Sequence, residues 1–281
     1  MNYNEALNFG INVLKKNNIK NPNLDTELLL SSAVNSDRES ILINLQNNIN
    51  SNQFKKFNIF LQKRVKKKPI SQILGIKEFW REKFHVDENV LTPRPDSELI
   101  IEEAIKFLKN KKKKFILDIG TGSGCLIISL IKNNQNCYGH GIDISKKAIE
   151  IASINAKIHQ VQNKIKFFNI DVDKYKSNKY DLILSNPPYL NRIDLLRLDD
   201  DVKLHEPKKA LFGGICGFEE IEKVIKRSSD LLKVSGKLIL EIDHQQKRKT
   251  AELLKEKGFF INKFCKDLRG NFRVIVSTKI Y

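Results

Sequence analysis

The sequence predicts a doubly wound α/β sheet preceded by a small helical bundle. Three observations carry this. From Phe115 onward, five short apolar runs alternate with helical stretches, as in a parallel sheet covered on both faces. Before them, to about Lys68, apolar residues recur at helical spacing. After them, the last segment reads as two strands joined by a glycine-containing turn, giving a seven-stranded sheet with an antiparallel edge hairpin.

The elements follow in chain order. Tyr3–Ile19 sets Leu7, Ile11 and Leu14 on one face, and Leu24–Val34 places Asp25 and Glu27 at the positive end of its dipole. Arg38–Gln46 is a short third helix. Asn52–Lys68 is a fourth, with Phe54, Phe57, Phe60, Leu61 and Val65 on one side, and Pro69 stops it. A hairpin is expected from Glu78–Phe84 and His85–Leu91, turning near Lys83, and the prolines of LTPRPDSELI lead into a helix over Asp96–Lys109. The lysine-rich run Lys109–Lys114 reads as a solvated connection. The five apolar runs are FILDIG, YGHGID, IKFFNID, YDLILSN and KLILEID. Helices are expected at Cys125–Lys132, Ser145–His159 (with Ser145 as N-cap), Phe218–Lys233 and Gln245–Lys257, the last closed by Gly258. The expected divisions are a bundle over residues 1–75, a hairpin linker over 76–92 and a catalytic domain over 93–281.

Composition narrows the function classes. The 281 residues include 50 Lys and Arg against 33 Asp and Glu, a net charge of +17, and 41% are hydrophobic, enough for a packed core. Such charge suits a nucleic-acid partner, but the chain is also rich in Lys, Asn and Ile, and drift towards these residues accounts for lysine equally well. Between Ser40 and Lys77 there is no carboxylate, while Lys55, Lys56, Lys63, Arg64, Lys66, Lys67 and Lys68 fall there. This is either a solvated face or a docking surface for an acidic partner. The four cysteines form no CxxC pair, so no metal site is expected. A start without a basic segment and the lack of a long apolar run lead to the expectation of a cytoplasmic protein with no membrane segment.

The first strand ends in Asp118, followed by Gly120, Thr121, Gly122, Ser123 and Gly124. A glycine loop between strand and helix lets backbone approach a ligand closely. The spacing is GxGxG, with Cys125 where the dinucleotide fingerprint would place its third glycine. Asp143 ends the second strand, where a doubly wound fold holds ribose hydroxyls. The fourth strand runs into Ser185, Asn186, Pro187, Pro188 and Tyr189. Here the prolines remove backbone donors and leave carbonyls, Asn186 adds an amide oxygen, and Tyr189 adds an aromatic wall. This set suits a planar NH₂ group, held by the Asn186 side chain and the Pro187 carbonyl.

An acid before GxGxG resembles the class I S-adenosylmethionine-dependent methyltransferases. That resemblance implies S-adenosyl-L-methionine as cofactor, with Asp118 near its methionine end, the loop Gly120–Gly124 beneath it, Asp143 on the ribose, and Asp171 and Val172 bordering the adenine. An amide is a poor nucleophile, but a sulfonium leaves readily, so in-line positioning by acceptors suffices without a strong base. Asn186, which faces both ligands, is expected to touch the cofactor as well.

LTPRPDSELI, DIGTGSGCLIISL, SNPPYL, HEPKKALFGGICGFEEI, EIDHQQ and KDLRGNFRV together resemble the HemK/PrmC family of peptide chain release factor glutamine methyltransferases. The resemblance implies methylation of the side-chain amide nitrogen (N5) of the glutamine in the Gly-Gly-Gln motif of class I release factors. Asn186, Pro187 and Tyr189 would then be catalytic, and with Pro188 they would form the substrate pocket. The bundle would dock the release factor, no nucleic acid would be required, and the enzyme is expected to be a monomer. Arg94 and Glu206 are candidates to support the substrate pocket from behind, although each side chain by itself reads rather as a member of a structural ion pair. Two positions depart from the family pattern: Asp243 stands where glycine is common, and His205 where tyrosine is common, the latter read as a surface residue. Two other readings remain. One is a DNA or RNA amino-methyltransferase acting on adenine N6 or guanine N2. The other is a non-catalytic RNA-binding module.

Overall fold

The computed structural model describes residues 1–109, 113–177 and 179–281. Residues 110–112, in the expected solvated connection, lie outside these. The chain packs as two compact units. One comprises Met1–Ile76 with Asp199–His205, the other Lys77–Leu198 with Glu206–Tyr281.

The first unit is helical. It contains α1 (Tyr3–Lys16), α2 (Pro22–Val34), α3 (Arg38–Ile43), α4 (Ser51–Val65) and α5 (Ile70–Leu74). Asn2 and Asn50 each form a capping box, with Glu5 and Gln53 respectively. The expected helices ran a few residues long because Asn17 and Lys66 cap α1 and α4 early. Pro69, expected to stop α4, lies beyond its Lys66 cap and serves instead as N-cap of α5, a turn that periodicity did not indicate. Phe57 and Leu61 are fully buried, with Leu14, Leu29, Leu30 and Ile41 around them.

Arg64 departs from the surface charge expected of its neighbours. It is buried, its Nε 2.7 Å from Asp25 and a guanidinium nitrogen 2.8 Å from Asp201, and it donates to the Lys68 carbonyl. Burial nevertheless pushes the Asp25 carboxyl up, outweighing Arg64. Removing the cation strands two carboxylates. Arg64→Ala is therefore expected to cost about 3–5 kcal/mol, read as a lowered urea midpoint by circular dichroism. Lys56 and Lys67 instead donate to the carbonyls of Ser32 and of Asn17 and Asn18.

The second unit opens with a hairpin of β1 (Ile76–Phe79) and β2 (Glu82–His85), whose first residue closes the helical unit. It turns at Trp80–Arg81 rather than near Lys83, both residues having positive φ, which fits a tight two-residue turn. Phe79 and Phe84 are buried in the core, and Asn155 binds both backbone groups of His85. A short 3₁₀ turn over Pro95–Ser97 then leads into α6 (Glu98–Leu108).

The remaining elements are β3 (Lys114–Ile119), α7 (Cys125–Asn133), β4 (Cys137–Asp143), α8 (Lys146–Ile158), β5 (Ile165–Asn169) and β6 (Tyr180–Ser185). They continue with α9 (Arg192–Leu196), α10 (Asp200–His205, in the first unit), α11 (Glu219–Leu231), β7 (Leu232–Glu241), α12 (Lys247–Glu256), β8 (Phe259–Lys266) and β9 (Phe272–Lys279). The sheet has seven strands in the order β5-β4-β3-β6-β7-β9-β8, parallel except for the antiparallel β7–β9 and β8–β9 pairs. This is the class I S-adenosylmethionine-dependent methyltransferase fold. Ile116, Leu182, Leu184 and Ile239 enter one core, while Leu117, Ile183, Leu238 and Leu240 enter the other, so the central strands are apolar on both faces. Strand order reverses between β3 and β6, which fixes the ligand crevice at their carboxyl ends.

Candidate functional site

A cavity of about 490 Å³ opens at that crevice. Among its lining residues are Gly120 and Gly122 after β3, Asp143 ending β4, Asp171 and Val172 after β5, and Asn186, Pro187 and Pro188 after β6. Eight of the expected site residues thus face one space, each delivered by a strand end.

Gly120 has φ +72°, and a side chain there would meet nothing within 4 Å. Its backbone borders open cavity in a conformation that L-residues rarely adopt. The turn is held by the amides of Gly120 and Thr121, both donating to the Ile142 carbonyl. Asp143 accepts from the Gly122 and Ser145 amides at 3.0 and 2.8 Å, and burial pushes its carboxyl up. Asp171 accepts from the Asp173 amide.

Asp118, Thr121, Ser123, Gly124 and Tyr189 do not line the cavity. Asp118 is fully buried behind the loop, and Thr121 Oγ1 donates to its Oδ2 at 2.7 Å. Its Oδ1 is buried with no hydrogen-bond partner among the described residues. Burial pushes the carboxyl up to about 7. Ser123 offers its carbonyl to Asn155, and Gly124 caps α7. Tyr189 packs against the core, where burial and the neighbouring Glu241 push its phenol up.

The Asn186 side chain is held by partners the sequence reading quoted but did not assign. Its Nδ2 donates to Ser97 Oγ at 3.0 Å, and Ser97 Oγ donates to Glu241 Oε2 at 2.6 Å. Ser97 lies in the PRPDSE segment and Glu241 in EIDHQQ. The backbone after Asn186 is fixed by the GGICG loop. Gly213 donates to the Leu190 carbonyl, and a Cβ on Gly213 would lie 2.6 Å from the Pro188 carbonyl oxygen. Only glycine permits that approach.

Lys208, Lys209, Phe212, Glu220 and Lys223 also line the cavity. All but Lys223 fall in HEPKKALFGGICGFEEI, a segment that marked the family without assigning these side chains to the site. Arg94 and Glu206 pair with each other at 2.6 Å, with Glu206 buried. Asp243 has φ −72° and caps the following turn, so its backbone does not call for glycine. It also lies 3.5 Å from Arg273. His205 ends α10 and binds the Lys66 carbonyl.

Residues 97–197 match the Methyltransferase small domain, and residues 5–75 match the PrmC N-terminal domain. The release factor glutamine methyltransferase of Fusobacterium nucleatum is 34% identical over 278 residues, spanning 98% of this chain and 78% of that protein. The chain belongs to the release factor glutamine methyltransferase family. The family member from Buchnera aphidicola is 36% identical, with 95% of each chain covered. A bifunctional methyltransferase of Rickettsia typhi is 32% identical over 96% of this chain, which spans 56% of that longer protein. Among solved structures, a methyltransferase from Pyrococcus furiosus superposes with a TM-score of 0.53 at 19% identity, covering 81% of this chain and 98% of that one. A ribosomal protein L11 methylase from Lactobacillus delbrueckii gives 0.52 at 18%, covering 70% and 84%. At such identity these two bear on the fold alone.

Proposed function

We propose that this family member transfers a methyl group from S-adenosyl-L-methionine to the N5 amide nitrogen of the glutamine in the Gly-Gly-Gln motif of class I release factors. The observation that carries the proposal is the meeting of Asn186 and Pro187 with Gly120 and Asp143 around one cavity. An amide held by the first pair would lie beside a cofactor held by the second. The residues suit that cofactor. Asp118 places a buried carboxyl behind the loop, the loop at Gly120 leaves open space, and Asp143 sits where ribose hydroxyls are bound. Asp171 and Val172 would border its adenine.

S-adenosyl-L-methionine, when bound, supplies a methyl group on a sulfonium leaving group. The chain's own task is to orient the nucleophile. Asn186 Oδ1 and the Pro187 carbonyl accept the two N–H groups of the glutamine amide and turn the face of its nitrogen towards the methyl. Both acceptors gain strength as the N–CH₃ bond forms, the S–CH₃ bond breaks and positive charge grows on that nitrogen; one of its two protons then leaves to water, giving the neutral N-methyl amide. Pro187 and Pro188 have no N–H with which to compete. Tyr189 acts from behind, through Glu241. The release factor is the macromolecular partner, and the first unit, with its exposed lysines, is the surface proposed to dock it. The proposed setting is the cytoplasm, as a monomer, and among the described residues no helix is long and apolar enough to cross a membrane.

Labelled S-adenosylmethionine should mark an intact release factor and leave its Gln→Ala variant unmarked. Equal labelling of both would exclude the glutamine, and label on nucleic acid alone would favour an adenine or guanine acceptor.

A further inference from the structure

Three side chains from distant parts of the second unit form one hydrogen-bonded line. Asn186 follows β6, Ser97 closes the 3₁₀ turn before α6, and Glu241 ends β7. Ser97 and Glu241 are 3% and 1% exposed, so water does not compete for either. Neither lines the cavity, whereas Asn186 does.

The line has a direction. An ionised carboxylate only accepts hydrogen bonds, while a hydroxyl donates once and accepts. Ser97 must therefore spend its single hydrogen on Glu241, and its lone pairs are what remain for Asn186. They can be met only by the amide's NH₂ end. We infer that Glu241 and Ser97 are positioning residues that fix which way the Asn186 amide points, committing Nδ2 to the protein and Oδ1 to the substrate. The inference rests on the amide-methylation reading above. With the amide reversed, Asn186 would present a donor to another donor, and the glutamine NH₂ would lose its acceptor.

The surroundings of Glu241 make the direction sensitive to pH. Asp96, Tyr189, Arg273 and Cys125 are the titratable groups that interact with it, from the 3₁₀ turn, the segment after β6, β9 and α7. Burial, chiefly, pushes its carboxyl up to about 7. Protonated Glu241 could donate to Ser97, free the Ser97 hydrogen for Asn186 Oδ1, and permit the reversed amide. The single productive orientation is thus enforced above about pH 7 and relaxed below it.

Ser97→Ala, Ser97→Thr and Glu241→Gln test this by kinetics at saturating S-adenosylmethionine and by the ¹⁵N–¹H resonances of the Asn186 side chain, identified by their loss in Asn186→Ala. Ser97→Ala should lower kcat about 10- to 100-fold with cofactor affinity within about twofold. Ser97→Thr, which keeps the hydroxyl, should restore kcat to within about threefold. Wild-type kcat should rise through about pH 7, and this step should vanish in Glu241→Gln. The Asn186 resonances should move over the same pH range in the wild type and stay still in Ser97→Ala. Unchanged kcat in Ser97→Ala, equal losses in the Ala and Thr variants, or a pH step that survives Glu241→Gln would each overturn the inference. If the wild type leaves release factor unmethylated, the amide-methylation reading fails, and the resonances alone then decide the positioning role.

Discussion

Asn186→Ala is expected to lower methyl transfer to a release factor about 10³-fold, with S-adenosylmethionine affinity within about threefold of the parent protein. The comparison is with loss of one preorganised polar group facing developing charge, which costs about 10²–10³; Asn186 also orients the nucleophile. Truncation leaves the rest of the cavity intact, because among the described residues the Asn186 side chain bonds only to Ser97 and the backbone course is held by Leu190, Leu211 and Gly213. Label transfer gives the rate and calorimetry the affinity. If the two fall together, Asn186 is a structural residue.

The second large effect concerns Asp118. Its carboxyl stands at about 7, so near neutral pH about half of the free protein carries a proton there. A cationic ammonium bound in the cavity, across the loop from Asp118, would favour the buried carboxylate and expel that proton. Cofactor affinity should therefore rise about tenfold per unit of pH below 7 and level off above it. Calorimetry in buffers of different ionisation enthalpy should show about half a proton released at pH 7. Proton uptake, or an affinity independent of pH, would refute the assignment.

Asp118→Asn should abolish this pH dependence and weaken binding about 10- to 100-fold at pH 8, the loss of a charge attraction across the loop. Its effect on stability runs the other way. A carboxyl raised from 3.8 to about 7 binds its proton more tightly in the folded state. The free protein thus loses stability as pH rises from about 4 through about 7. At pH 8 the variant should escape that penalty, about 4 kcal/mol, and melt higher than the parent in the absence of cofactor.

Much of the fold was legible because the strands follow local rules. FILDIG and YDLILSN are apolar on both faces since both faces are covered, and the glycine loop announces a strand end because few other sequences tolerate its backbone. The turn at Trp80–Arg81 was misplaced by a few residues because neither side chain signals positive φ. Helix α5 was missed because Pro69 was read as a stop, and proline equally well begins the next turn. In the site, Gly120, Asp143 and Asn186 were readable from their places after strands. Ser97 and Glu241 were not, although both stood in quoted segments. A hydroxyl and a carboxylate far apart in sequence reveal nothing of their pairing until the sheet brings them together. Arg64 resembled its lysine neighbours for the same reason, its two carboxylates lying far along the chain.

The division of the chain bears on how it can be cut. The helical unit is not a plain N-terminal extension, since it includes Asp199–His205 from the middle of the sequence. Asp201 answers Arg64, Asp199 answers Lys20, and His205 holds the Lys66 carbonyl. Deleting everything before Lys77 would remove these partners and leave seven residues of a foreign module spliced between Tyr189 and the cavity-lining Pro207. A gene fragment beginning at the hairpin is thus an incomplete excision. A catalytic unit expressed by itself should also have residues 199–205 replaced by a short polar bridge. The same geometry ties any gain or loss of the bundle in evolution to an edit at a second, remote place in the gene.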